Sequence, residues 1–151
     1  MFETESDRGA AVLAASYAEN QLGLYLKEFM TDKSLCEKIF ESNGVLSSFS
    51  QRIDFAQAFG FLTKELCQEL HLIRKIRNHF AHHPKNASFT SEPVKGWVGT
   101  LRASKEVELP EGLKFKLSDP RIAYLISVGM LVIIANNKIY GYGNPEVDYQ
   151  L

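Results

Sequence analysis

All four histidines of the chain, His71, His79, His82 and His83, fall within thirteen residues, and no aspartate or glutamate interrupts the stretch from His71 to Lys85. Arg74, Lys75 and Arg77 stand among them. Imidazoles change charge near neutral pH and guanidinium groups do not, so this cluster could move protons and hold negative charge in one place. The sharpest pairing is Arg77 with His82, with Asn78 directly after the arginine. Histidine could exchange a proton with a ribose 2′-hydroxyl while arginine stabilises charge on the phosphoryl oxygens, which is metal-free ribonuclease chemistry. A five-residue step leaves the two side chains ~140° apart on a regular helix, so they converge only if the helix ends near His82 or if two protomers share the site. Pro84 gives the helix a reason to stop there. The plainer account is a solvated helix end, where cations meet the C-terminal dipole favourably. His79, His82 and His83 have i, i+3, i+4 spacing but no companion carboxylate or cysteine, and the His-Glu-x-x-His pattern of zinc hydrolases is missing. No metal and no cofactor is expected.

Five helices are expected to position these groups. Ser6 or Thr4 can cap a first helix over about 6–30, with Asp7 in its first turn and small residues Ala11, Ala14 and Ala18 repeating along one face. A short helix over 33–40 stops at Ser42-Asn43-Gly44, a third covers 48–59 and ends at Gly60, and Thr63 caps a fourth over 64–82. From Lys85 to Ser118 the helical period is lost. Leu113, Phe115 and Leu117 alternate with charged residues around Pro110-Glu111-Gly112, predicting a small β-hairpin around 106–117. Asp119-Pro120 opens a last helix over 120–136, expected at the centre of the bundle. The fold class is therefore mainly α: one helical domain over residues 1–151, a bundle of four to five helices with a hairpin insertion.

On the fourth helix Leu66, Leu70, Ile73 and Phe80 share one narrow sector, and Arg77 falls in its middle. A guanidinium turned toward a core must be paired, because an uncompensated buried charge costs several kcal/mol. Asp7 is the first candidate partner and Asp54 the second. His71, Arg74, Asn78 and His82 form a polar stripe on the other face.

Hydrophobic residues make up 45% of the chain and charged residues 23%, enough for a core and against disorder. A net charge of −1 gives no global attraction for nucleic acid, so RNA could be held only by the basic patch at 71–85. Direct DNA binding is not evident, because no basic recognition helix is present. Cys36 and Cys67 form neither a metal nor a disulfide pattern. The acidic start Met1-Phe2-Glu3 lacks a signal peptide's features, and the apolar run Ile122 to Ala135, 14 residues, falls short of the ~20 that span a bilayer, so a cytoplasmic protein without a membrane anchor is expected. Phe55, Phe59 and Phe61, with the apolar last helix, could build the shared face of a homodimer.

Three stretches carry a family resemblance: Glu5-Ser6-Asp7-Arg8-Gly9-Ala10-Ala11; Leu46-Ser47-Ser48-Phe49-Ser50-Gln51-Arg52-Ile53-Asp54 leading to Ala58-Phe59-Gly60; and His71-Leu72-Ile73-Arg74-Lys75-Ile76-Arg77-Asn78, continuing through Phe80-Ala81-His82. In order and spacing they resemble the mannitol operon repressor (MltR-type) family over about half of the chain. The resemblance implies an all-helical repressor of sugar-alcohol uptake genes without an evident helix-turn-helix, and hence a co-regulator acting through a protein partner, either the transcription machinery or another regulator. The family's recurring polar residues carry over as Asp7, Arg8, Arg52, Asp54, Arg77, Asn78 and His82, expected to form one network across the first, third and fourth helices. Arg77, Asn78 and His82 alone are similar to the Arg-x4-His motif of the HEPN superfamily, many of whose members resemble metal-independent endoribonucleases. The two readings part on geometry. A regulator predicts an exposed apolar or aromatic patch with Arg77 buried, and a ribonuclease predicts Arg77 and His82 converging in a basic cleft.

Overall fold

The computed structural model describes residues 4–105, 107–108, 112 and 114–140. Six α-helices are found among them: α1 (Asp7–Lys27), α2 (Lys33–Phe40), α3 (Phe49–Ala58), α4 (Lys64–His82), α5 (Val94–Gly99) and α6 (Pro120–Tyr140). Local chemistry starts most of them. Ser6 Oγ accepts from the Gly9 amide at 3.1 Å, Asp32 Oδ1 from Leu35 at 2.9 Å, and Thr63 Oγ1 from Leu66 at 3.4 Å, each satisfying an amide with no partner inside its helix. At α3 the capping is reciprocal: Ser48 Oγ accepts from the Gln51 amide, and Gln51 Oε1 from the Ser48 amide. Asp119 Oδ1 accepts from the amides of Arg121 and Ile122 and opens α6. Gly60, at φ +70°, ends the chain's exit from α3 in the left-handed region that favours glycine.

The core forms where α1 meets its neighbours. Ala11, Ala14, Ala15 and Ala18 are buried on α1 and carry so little bulk that α6 lies close against it. The Tyr124 hydroxyl crosses that seam and donates to the Ala11 carbonyl at 2.9 Å. Burial raises the pKa of this phenol, so it stays protonated and serves as a donor. On its other sides α1 packs on α4 and α3, while the rings of Phe80, Phe89 and Tyr124 pack at tilted angles through the interior. The expectation that the last helix sits in the middle is corrected: α1 is central, and α6 buries one face while Ile122, Ile126, Met130 and Ile133 point outward. The helix is also longer than the apolar run suggested. Residues Pro120–Asn137 are long and apolar enough by composition to cross a membrane, yet the inner face of α6 is part of the core.

Two further expectations change. The segment after Pro84 contains α5, whose Val94 and Val98 are buried, and a single 3-10 turn at Arg102–Ser104. The hairpin expected around 106–117 is not an element of the architecture. Val107–Glu108 and Lys114–Phe115 pair antiparallel, with Val107 opposite Phe115 and Glu108 opposite Lys114. Two residues a side make a bridge between extended stretches and leave no sheet face to pack. Leu109, Pro110, Glu111 and Leu113 lie outside the described residues.

Candidate functional site

Arg77 does point inward, and its carboxylate partner is Glu19 of α1 rather than Asp7 or Asp54. Arg77 Nη1 donates to Glu19 Oε2 at 2.8 Å, with the two side chains 23% and 21% exposed. Its Nε donates to Asn78 Oδ1 at 3.2 Å, and its guanidinium lies over the Phe49 ring at 5.7 Å. Arg52 reaches the same place from α3: Nε donates to the Leu46 carbonyl at 2.9 Å and Nη1 to the Glu19 carbonyl at 3.1 Å. Burial pulls the Arg52 pKa down while the Glu19 charge works against that pull. A Cβ on Gly23 would sit 3.1 Å from Arg52 Nη1, so a larger residue there would push the guanidinium aside by a few tenths of an ångström.

The expected single network is therefore divided. Asp7 belongs to a second cluster, where Oδ1 takes Arg121 Nη1 at 2.9 Å and Oδ2 accepts from the Ser88 hydroxyl and the Phe89 amide, both at 3.1 Å. That cluster ties the start of α1 to the start of α6 and to the loop after α4. Asp54 forms a third contact, with His71 Nε2 at 3.1 Å. Arg8 is exposed. Glu19, Arg121 and Ser88 were missed. Glu19 lies ~120° around α1 from Asp7, just beyond Ala15 and Leu26, so a wider reading of the buried sector would have found it. The other two depend on chain folding that no local pattern encodes.

Within one chain, Arg77 and His82 have separate surroundings. α4 ends at His82, close to Pro84 as expected, with the His83 amide bonded to the His79 carbonyl at 3.0 Å. Arg77 is held against α1 and Phe49, whereas His82 is exposed. Among the described residues no group of three or more His, Cys, Asp or Glu side chains could hold a metal. Cys67 is buried with its pKa pushed up to about 11, chiefly by burial and further by Asp54 and Glu65, so its thiol is inert.

The outer face of α4 forms a shallow groove lined by Gln68, His71, Leu72, Arg74, Lys75 and Asn78, open over about 470 Å³. Beside it, Lys75 Nζ sits 4.2 Å from the centre of the Trp97 ring, and His79 meets the same ring edge-on at 5.4 Å while stacking on His83 at 4.3 Å. Burial, then the neighbouring His83, lowers the His79 pKa. Trp97 is thus fixed on α4 by cation–π and edge contacts.

An aromatic surface lies where α3 ends. Phe29 stacks on Phe61 at 4.2 Å, Phe61 on Phe59 at 6.1 Å and Phe59 on Phe55 at 4.4 Å, all nearly parallel. Tyr25 anchors the ladder by donating to the Phe61 carbonyl at 3.0 Å. Phe59 is 65% exposed and Phe29 52%, although both rings are stacked. The sequence pointed to Phe55, Phe59 and Phe61; Phe29, arriving from the end of α1, completes the row.

The fold resembles that of a chain in a solved two-protein complex. A chain in the X-ray structure of the MtlR–HPr complex from Escherichia coli matches with a TM-score of 0.59 and 19% identity, over 83% of this chain and 85% of that one. At that identity the match speaks for a shared helical architecture. No protein-family model matches the chain, and no curated protein matches its sequence.

Proposed function

We propose that this protein is a cytoplasmic regulator that acts by docking a protein partner, in the manner of MtlR, the mannitol operon regulator seen bound to HPr. The observation that carries the reading is the ladder of Phe29, Phe61, Phe59 and Phe55, which leaves two large rings exposed on a firmly packed base. Rigid, solvent-facing aromatics lose little entropy on binding and dominate the energetics of protein interfaces. The enclosure of Arg77 by Glu19 and Phe49 supports the same reading, because it makes that arginine part of the scaffold. HPr is the first partner to try, by analogy with the neighbouring structure. The outward stripe of Ile122, Ile126, Met130 and Ile133 supports self-association through α6, the apolar helix expected, together with the phenylalanines, to build a dimer face.

Titration calorimetry with purified HPr tests the proposal. A complex is expected, weakened about tenfold or more in a Phe59→Ser variant, as for a central aromatic contact. The variant should melt as the wild type does, since Phe59 is mostly exposed. Unchanged affinity in a Phe29→Ser, Phe59→Ser double variant would remove the ladder as the docking surface, and no complex with HPr would remove HPr as the partner.

A further inference from the structure

Of the six arginines, four are held in place: Arg52 by two carbonyls, Arg77 by Glu19, Arg102 by Glu69, and Arg121 by Asp7 and the Glu5 carbonyl. Arg8 is exposed to water. Arg74 is different: it is half-buried, its Nε is sealed from solvent, and that atom has no hydrogen-bond partner. A sealed guanidinium N–H without an acceptor is unfavourable, and a docked carboxylate would reach Arg74 through its Nη groups. Arg74 lines the groove on the outer face of α4, with Lys75, Asn78, Gln68 and His71 beside it.

Glu69 is turned away, accepting from the Arg102 amide at 2.6 Å, and Asp54 pairs with His71 at the groove's edge. The lining of the groove itself carries cations and amide donors and no carboxylate. We propose that this groove is the docking site for a carboxylate-bearing segment of a protein partner, with Arg74 and Lys75 as its anchors. The inference rests on the partner-docking reading above and adds a second, electrostatic surface to the aromatic one.

The surroundings favour carboxylates on a protein over single-stranded nucleic acid. Nucleic acid needs an open aromatic face on which a base can stack. The Lys75 ammonium covers one face of Trp97 and His79 meets its edge, which leaves less of the ring for a base to stack on. Leu72 in the groove floor suits an apolar side chain between acidic ones, and the planar fork of arginine matches a carboxylate in two-point contact.

The test is an NMR titration of the full chain with a hexaglutamate peptide, using inorganic phosphate and a uridine oligonucleotide as separate competitors. Hexaglutamate should shift the amides of residues 68–78 and the Trp97 indole N–H. Binding should weaken about fivefold or more in Arg74→Gln and partly recover in Arg74→Lys, and it should weaken with added salt as exposed charge pairs do. A melt of each variant checks folding, and Arg74→Gln should be as stable as the wild type because no native hydrogen bond is lost. The Phe59→Ser variant should bind hexaglutamate as the wild type does, so failure of the aromatic ladder and failure of the groove are read separately. Absence of groove shifts, equal binding by folded Arg74→Gln, or oligonucleotide or phosphate binding at the groove as tight as the peptide's would each overturn the proposal.

Discussion

At the scale of single residues, the most consequential contact is the pair Arg77–Glu19. Both groups are about one-quarter exposed, so water screens part of their attraction, and a charge-assisted hydrogen bond there is worth ~1.5–3 kcal/mol. Arg77→Gln and Glu19→Gln should each lower the unfolding free energy by about that amount in urea titrations. The double variant should lose clearly less than the two losses added together, because either change alone already breaks the bond. Strict additivity would mean that the two side chains are not coupled. That Arg77 turns inward was legible from its place among Leu66, Leu70, Ile73 and Phe80. Its partner was not, since Asp7, Glu19 and Asp54 all present carboxylates toward neighbouring helices and only packing chooses among them. Asp7 was chosen by Arg121, 114 positions away.

At the scale of elements, start signals were the legible part. Ser6, Ser48, Thr63 and Asp119 open helices where their side-chain oxygens can meet free amides, a property of a few adjacent residues. Ser48→Ala should destabilise the fold by about 1 kcal/mol, read as a lower denaturation midpoint with an unchanged slope. A changed slope would mean that α3 unfolds apart from the rest. α5 was illegible for the converse reason: Val94–Gly99 includes two glycines and has no side-chain cap, so its helical form depends on burying Val94 and Val98 against α4 and α6. The alternation around Gly112 misled in the other direction, because two paired residues a side cannot carry a hairpin on their own.

At the scale of the whole molecule, the packing of α5 on α4 predicts a fold that loses stability in acid. Burial beside Trp97, then the neighbouring His83, holds the His79 pKa below the usual histidine value of about 6.5. Between that lowered value and ~6.5 the unfolded chain binds more protons than the native one, so His79 contributes stability that is present above pH ~6.5 and lost as pH falls. Melting temperatures measured from pH 7.5 down to 5 should fall more steeply for the wild type than for His79→Gln; parallel curves would rule out this contribution. The sequence by itself determined the helical class, most helix starts, the inward turn of Arg77, the polar stripe on α4 and three of the four ladder phenylalanines, because period, capping and composition act over a few residues. Tertiary structure decided that α1 is the centre, that the polar network divides around Glu19 and Asp7, and that Phe29 joins the ladder. It also enclosed Arg77 between Glu19 and Phe49 while His82 stays exposed, and placed Arg74 in a groove whose lining carries no carboxylate. Those outcomes depend on which distant surfaces meet, and no spacing along one chain encodes that meeting.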